Sequence, residues 1–125
     1  MLAVDPGTRE QIERILESDT FRSSEALRRL LKYLAEKAFS GEAAQLKEYA
    51  IGLDVLAKPE SYDPRKDASV RLQASRLRQK LTEYYHSEGT GDPVVFELPK
   101  GHFELVWNPR SPTLAGGEKS SPVPS

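Results

Sequence analysis

Residues 70–81 read VRLQASRLRQKL, and the phase of this stretch decides the fold. Its apolar residues recur at helical spacing, yet four of its twelve positions are Arg or Lys. On a wheel advancing about 100° per residue, Ala74, Leu77, Leu81 and, beyond the stretch, Tyr84 fall within about 40° of Val70. That narrow face predicts a helix with one side in a core. The remaining arc holds Arg71, Arg78, Ser75, Gln79, Leu72, Arg76, Lys80 and Gln73, with no acidic residue among them.

A solvated helix face usually mixes signs, because Glu and Lys four apart stabilise it by about 0.2–0.5 kcal/mol and like charges cost as much. An acid-free basic arc points instead to an external anion. Arg and Gln can grip guanine or adenine edges bidentately, Ser can contact phosphate or base, and an α-helix fits the major groove. The competing reading is an ordinary exposed helix, since Lys and Arg are mostly surface residues. Leu72 stands inside the polar arc, where a thymine methyl, the preceding loop or a dimer partner could cover it.

The charge is local. The 125-residue chain has a net charge of -1 and a pI near 6.1, which argues against indiscriminate coating of nucleic acid or anionic lipid. Residues 1–64 hold nine Lys or Arg against twelve Asp or Glu, and residues 81–125 three against six, whereas residues 65–80 hold six against one. Length allows a single domain. The absence of cysteine removes disulfides, thiolate metal sites and cysteine nucleophiles. No run approaches the roughly 20 apolar residues of a membrane span, and MLAVDPGTRE lacks the pattern of a signal peptide, so a cytoplasmic location is expected.

Working outward, Asp5 and Pro6 predict the start of a first helix carrying Ile12, Ile15 and Leu16, to about Ser18. Ser23 and Ser24 open a second, with Leu27, Leu30, Leu31, Leu34 and Ala38 on one face and Gly41 as its stop. A third helix is expected from Ala44 to before Pro59, with Leu46, Tyr49, Ala50, Leu53 and Leu56 on one side and a close contact at Gly52. KPESYDPRKD reads as a loop, and Asp67 as the cap of the basic helix, which runs to about Ser87 before Gly89 and Gly91. VVFEL and HFELVW, separated by Pro99, Lys100 and Gly101, predict a β-hairpin. The fold class is therefore mainly α with a C-terminal β-hairpin, the plan of a winged helix-turn-helix, over residues 1–107. Residues 108–125, rich in Pro, Ser and Gly, are expected to be a disordered tail or linker.

The pattern resembles the OmpR/PhoB-type winged-helix effector domain of bacterial response regulators. Recognition helices of that family run along the lines of VDVHI, a variable residue and RLRKKL, and Val70, Arg76, Leu77, Arg78, Lys80 and Leu81 fall in step with it. The resemblance covers roughly Leu27 to Trp107. It is similar more closely to the amino-terminal domain of large bacterial signalling proteins with a downstream membrane span and tetratricopeptide repeats. The shared motifs are LKEY at 46–49, Ile51 with Gly52, DPR at 63–65, RLR at 76–78, Lys80 with Leu81, Tyr84 with Tyr85, and PKG at 99–101. The tip at Lys100 to Phe103 is one residue shorter than the response-regulator wing, and no receiver domain or four-stranded sheet is legible before the second helix.

The resemblance implies sequence-specific binding of double-stranded DNA by a transcriptional regulator, with helix 67–87 in the major groove and wing 94–107 on the backbone or minor groove. It places Arg71, Gln73, Ser75 and Arg76 on bases, and Lys66, Arg78, Lys80 and Lys100 on phosphates. A homodimer on paired half-sites and a downstream domain joined through the C-terminal linker are further expected partners. The alternative is a protein-interaction or dimerisation module using the same helix and wing. No enzyme, small-molecule substrate, cofactor or metal is expected: His86 and His102 are isolated, and Glu60, Asp63 and Asp67 match no calcium loop, so turns and caps account for them. Gly89 and Gly91 end a helix without a following Lys-Ser/Thr, so they form no phosphate loop.

Overall fold

A computed structural model describes residues 6–109. In chain order these form α1 (Pro6–Glu17), α2 (Asp19–Arg22), α3 (Glu25–Phe39), a 3-10 turn (Ala43–Gln45), α4 (Glu48–Asp54), α5 (Ser69–His86), β1 (Val94–Glu97) and β2 (Val106–Pro109). The architecture is mainly helical with one antiparallel two-stranded sheet near the C-terminus. The Asp5 cap and the tail from residue 110 lie outside the described residues, while Asn108 and Pro109, expected in the tail, belong to β2. No helix among the described residues is long and apolar enough to cross a membrane.

The core lies where α3 crosses α5. Leu30, Leu31 and Leu34 of α3 meet the face of α5 formed by Val70, Ala74, Leu77, Leu81 and Tyr84, and all are buried, as the wheel requires. Each buried Leu contributes about 1.5–3 kcal/mol through removal of its surface from water. Ile12, Ile15 and Leu16 of α1 close the core from the other side. Gln11 is buried with them, and its amide satisfies itself by donating to Asp92, whose carboxylate also accepts from the Tyr84 hydroxyl at 2.5 Å.

The short helix α2 is absent from the sequence reading. Ser18, expected to end the first helix, caps it by accepting from the Phe21 amide at 3.3 Å, and Phe21 is fully buried. Glu88, beyond α5, accepts from the Asp19 and Thr20 amides at 3.0 and 2.7 Å. A carboxylate at the free amides of a helix start is favourable both as acceptor and as charge. One turn of helix carries no periodicity of its own, so nothing in the local pattern announces it.

The third expected helix needs correction. Residues 43–45 form a 3-10 turn, Leu46 and Lys47 are extended, and α4 begins only at Glu48. A wheel drawn from Ala44 is therefore out of phase: the buried side is Ile51, Gly52 and Val55, and Tyr49 is exposed. The hairpin also shifts. Its register pairs Val94 with Pro109 and Glu97 with Val106, so His102 to Leu105 are not strand. Leu98 and Leu105 turn into the core instead, and Gly101 takes the left-handed conformation, φ 82°, that the turn between them requires. Trp107 stacks edge-on against Phe39 at 5.2 Å, fastening β2 to the end of α3.

Candidate functional site

The site is built around the first half of α5. Its start is fixed by Asp67, which accepts from the Ser69 amide at 2.9 Å; the N-cap is Ala68, one residue later than expected. The Ser69 hydroxyl and then Lys58, 2.9 Å away, hold the Asp67 carboxyl down to about 2. Behind it, the Tyr62 ring packs against Gly52, where an added Cβ would come within 2.3 Å of it. The close contact expected at Gly52 is this one. The Tyr62 hydroxyl is buried without a hydrogen-bond partner among the described residues, and burial raises its pKa.

Two edges of α5 differ in what holds their cations. On one, Arg71 Nη1 donates to Glu48 at 2.8 Å and to the Pro64 carbonyl at 2.9 Å. Two turns further, Arg78 Nε donates to the Leu98 carbonyl at 2.8 Å and Nη2 to that of Pro99 at 3.3 Å. Between these arginines and the hairpin tip at Gly101 and His102 lies a cleft of about 260 Å³. The opposite edge borders an open groove of about 440 Å³ against the first turn of α3, where half-buried Gln73 and Lys80 sit beside Ser24 and Glu25.

The ridge between the two edges is exposed. It carries Leu72, Ser75, Arg76 and Gln79, and Arg76 makes no ion pair or hydrogen bond among the described residues. Lys66 before the helix and Lys100 at the hairpin tip are exposed cations whose ammonium groups are likewise unpaired among the described residues. Of the eight site residues read from sequence, the fold thus presents Ser75, Arg76, Lys66 and Lys100 freely, half-covers Gln73 and Lys80, and ties Arg71 and Arg78 down.

The acid-free arc holds for residues 70–81 but not for the assembled surface. Glu48 reaches Arg71 from α4, and Glu83, on the next turn, stands 3.8 Å from Lys80. Sequence reasoning missed Glu48 because its partner is 23 residues away and the pairing exists only once α4 packs on α5. Tyr85 was missed for a similar reason: its hydroxyl bonds the backbone of β1. His86 and His102 are exposed, and among the described residues no group of three or more His, Asp or Glu side chains is placed to hold a metal ion. Asp63 accepts from the Arg65 amide at 3.0 Å, the turn-forming role expected of it.

No protein-family model, curated protein or solved structure matches this chain. The OmpR/PhoB-type resemblance therefore rests on its motif residues alone.

Proposed function

We propose that this chain is a winged helix-turn-helix domain of a bacterial transcriptional regulator that binds double-stranded DNA. In this reading α5 enters the major groove and the β1–β2 hairpin is the wing, beside the backbone or minor groove. The observation that carries it is the exposed ridge of Leu72, Ser75, Arg76 and Gln79 on α5, with Arg76 unpaired among the described residues. Recognition helices contact bases from their N-terminal half, and residues with bidentate or adaptable polar groups stand there. Base reading falls to Gln73, Ser75 and Arg76. Lys66, Lys80 and Lys100 are assigned to phosphates; the Lys80–Glu83 pair is long, at 3.8 Å, with Glu83 exposed, and such pairs contribute little. Arg71 reaches a base only by leaving Glu48.

A second reading, a protein partner or a second copy docked on the same ridge, is favoured by one observation: Leu72 is 57% exposed, covered neither by the preceding loop nor by the core. Salt separates the two. Fluorescence anisotropy on a labelled random duplex is expected to show micromolar or tighter binding at low salt, with a slope of about -0.9 in log K against log salt per phosphate contact. The triple variant Lys66→Ala, Arg76→Ala, Lys100→Ala, all at exposed positions, should flatten that slope by about 2 to 3. Absence of binding, or binding with an unchanged slope in the variant, would assign the ridge to a protein.

A further inference from the structure

A two-stranded hairpin has two unpaired edges, and an unpaired edge is a template for stray strand pairing. Peptide groups alternate sides along a strand, so those of Val94 and Phe96 lie on one edge of β1 and those of Val95 and Glu97 on the other. The first edge is not bare. The Tyr85 hydroxyl accepts from the Phe96 amide at 3.0 Å and donates to the Val94 carbonyl at 2.9 Å, bridging one repeat of the strand. Arg78 takes over just beyond the end of the strand, donating to the carbonyls of Leu98 and Pro99.

The spacing is self-consistent. Arg78 and Tyr85 are two turns apart on one side of α5, about 10.5 Å at 1.5 Å per residue. The stretch of extended chain they grip, from between Val94 and Phe96 to Leu98 just past β1, is about three residues, or about 10 Å. The chemistry is also selective: a hydroxyl can both donate and accept, which the Val94 and Phe96 pair demands, and a guanidinium offers the fork that two successive carbonyls demand.

We propose that Arg78 and Tyr85 are the positioning residues of the wing: together they clasp the free edge of β1 to α5, so that the tip carrying Lys100 and the ridge carrying Arg76 form one unit. The clasp stands independently of the ligand; its consequence for DNA rests on the reading given above. Arg78 is thereby removed from the phosphate contacts and given a structural task, since its guanidinium already holds two carbonyls.

Amide hydrogen exchange on the free chain tests the clasp without DNA. In Tyr85→Phe the Phe96 amide loses its acceptor and should exchange about tenfold faster, with Val95 and Glu97, in the ladder with β2, changing far less. Arg78→Lys should accelerate Phe96 as well, by releasing the strand's far end. Protection of the α5 amides in both variants verifies that they remain folded. Unchanged Phe96 exchange in both overturns the proposal. Duplex binding then adds the functional arm. A positioning Arg78 predicts that Arg78→Lys and Arg78→Gln weaken binding alike; a phosphate ligand predicts that Lys substitutes and Gln alone flattens the salt slope. A wild-type chain that shows the clasp by exchange but ignores duplex DNA refutes the DNA reading and leaves the clasp standing.

Discussion

The Arg71 guanidinium of α5 donates from one nitrogen to both the Glu48 carboxylate of α4, at 2.8 Å, and the Pro64 carbonyl of the intervening loop, at 2.9 Å. A single side chain thus ties α4 and the intervening loop to α5, and Glu48, with only 18% of its side chain exposed, depends on it for a counter-charge. Arg71→Ala should destabilise the chain by about 1 kcal/mol, the value of a charged hydrogen bond discounted for the half-exposed arginine, as read from urea unfolding. Glu48→Gln frees the guanidinium without emptying the site. Under the DNA reading it should tighten duplex binding at low salt, and no change would mean that Arg71 stays out of the groove even when released.

Gly52 faces the Tyr62 ring so closely that a Cβ would lie 2.3 Å from one ring carbon and 2.8 Å from another. The ring cannot swing aside, because it is buried and stacked on Tyr49 at a centroid distance of 6.0 Å. Gly52→Ala should therefore cost about 1–3 kcal/mol by overpacking, outweighing the gain in helix propensity. Adding Tyr62→Leu should recover part of that loss. Equal costs of Gly52→Ala in the two backgrounds, measured by urea unfolding, would show that the ring is not what excludes the side chain.

What the sequence disclosed follows from the range of the interactions. The buried face of α5 was legible because Val70, Ala74, Leu77, Leu81 and Tyr84 repeat over four turns, and a long repeat fixes its own phase. α4 was misphased because the backbone at Leu46 and Lys47 leaves the helix, and seven residues are too few to betray the slip. The hairpin was legible as a pair of strands but not in register, since the second strand pairs only from Val106 and runs on through Asn108 and Pro109, beyond the apolar run. Least legible was the disposition of the basic side chains. Arg71 and Arg76 look alike in sequence, and only the packing of α4 and the hairpin against one edge of α5 distinguishes a clamp from a free cation.

Asp67 supplies the pH dependence. Its folded pKa, about 2, lies below the ordinary carboxylate value of 3.8, so the charged form is the one the fold stabilises. Its contribution is complete above the unfolded value and disappears as the pH falls through the window from about 4 to 2. Asp67→Asn removes it at all pH values. The stability gap between wild type and variant should be constant near neutrality and close progressively below pH 4; a gap that persists at pH 2 would place the effect in packing and not in the charge.

Leu72 is the exposed apolar residue that the fold leaves unexplained. Tyr49, the other large one among the described residues, is held by its stack on Tyr62 and by donating to the Glu60 carbonyl at 2.8 Å. Leu72 has no such anchor, and it stands in the first turn of α5, one and two turns before Arg76 and Gln79 on the same ridge. Under the DNA reading, an apolar side chain on this ridge meets the thymine C5-methyl in the major groove. Once a preferred duplex has been selected, replacing each thymine in turn by deoxyuridine removes only that methyl. One position should lose affinity by about tenfold in the wild type, and Leu72→Ala should lose the same affinity and become indifferent to the substitution there. If the variant remains as sensitive as the wild type at every thymine, Leu72 does not read the groove; if the variant changes the association state of the free chain instead, a second copy covers it.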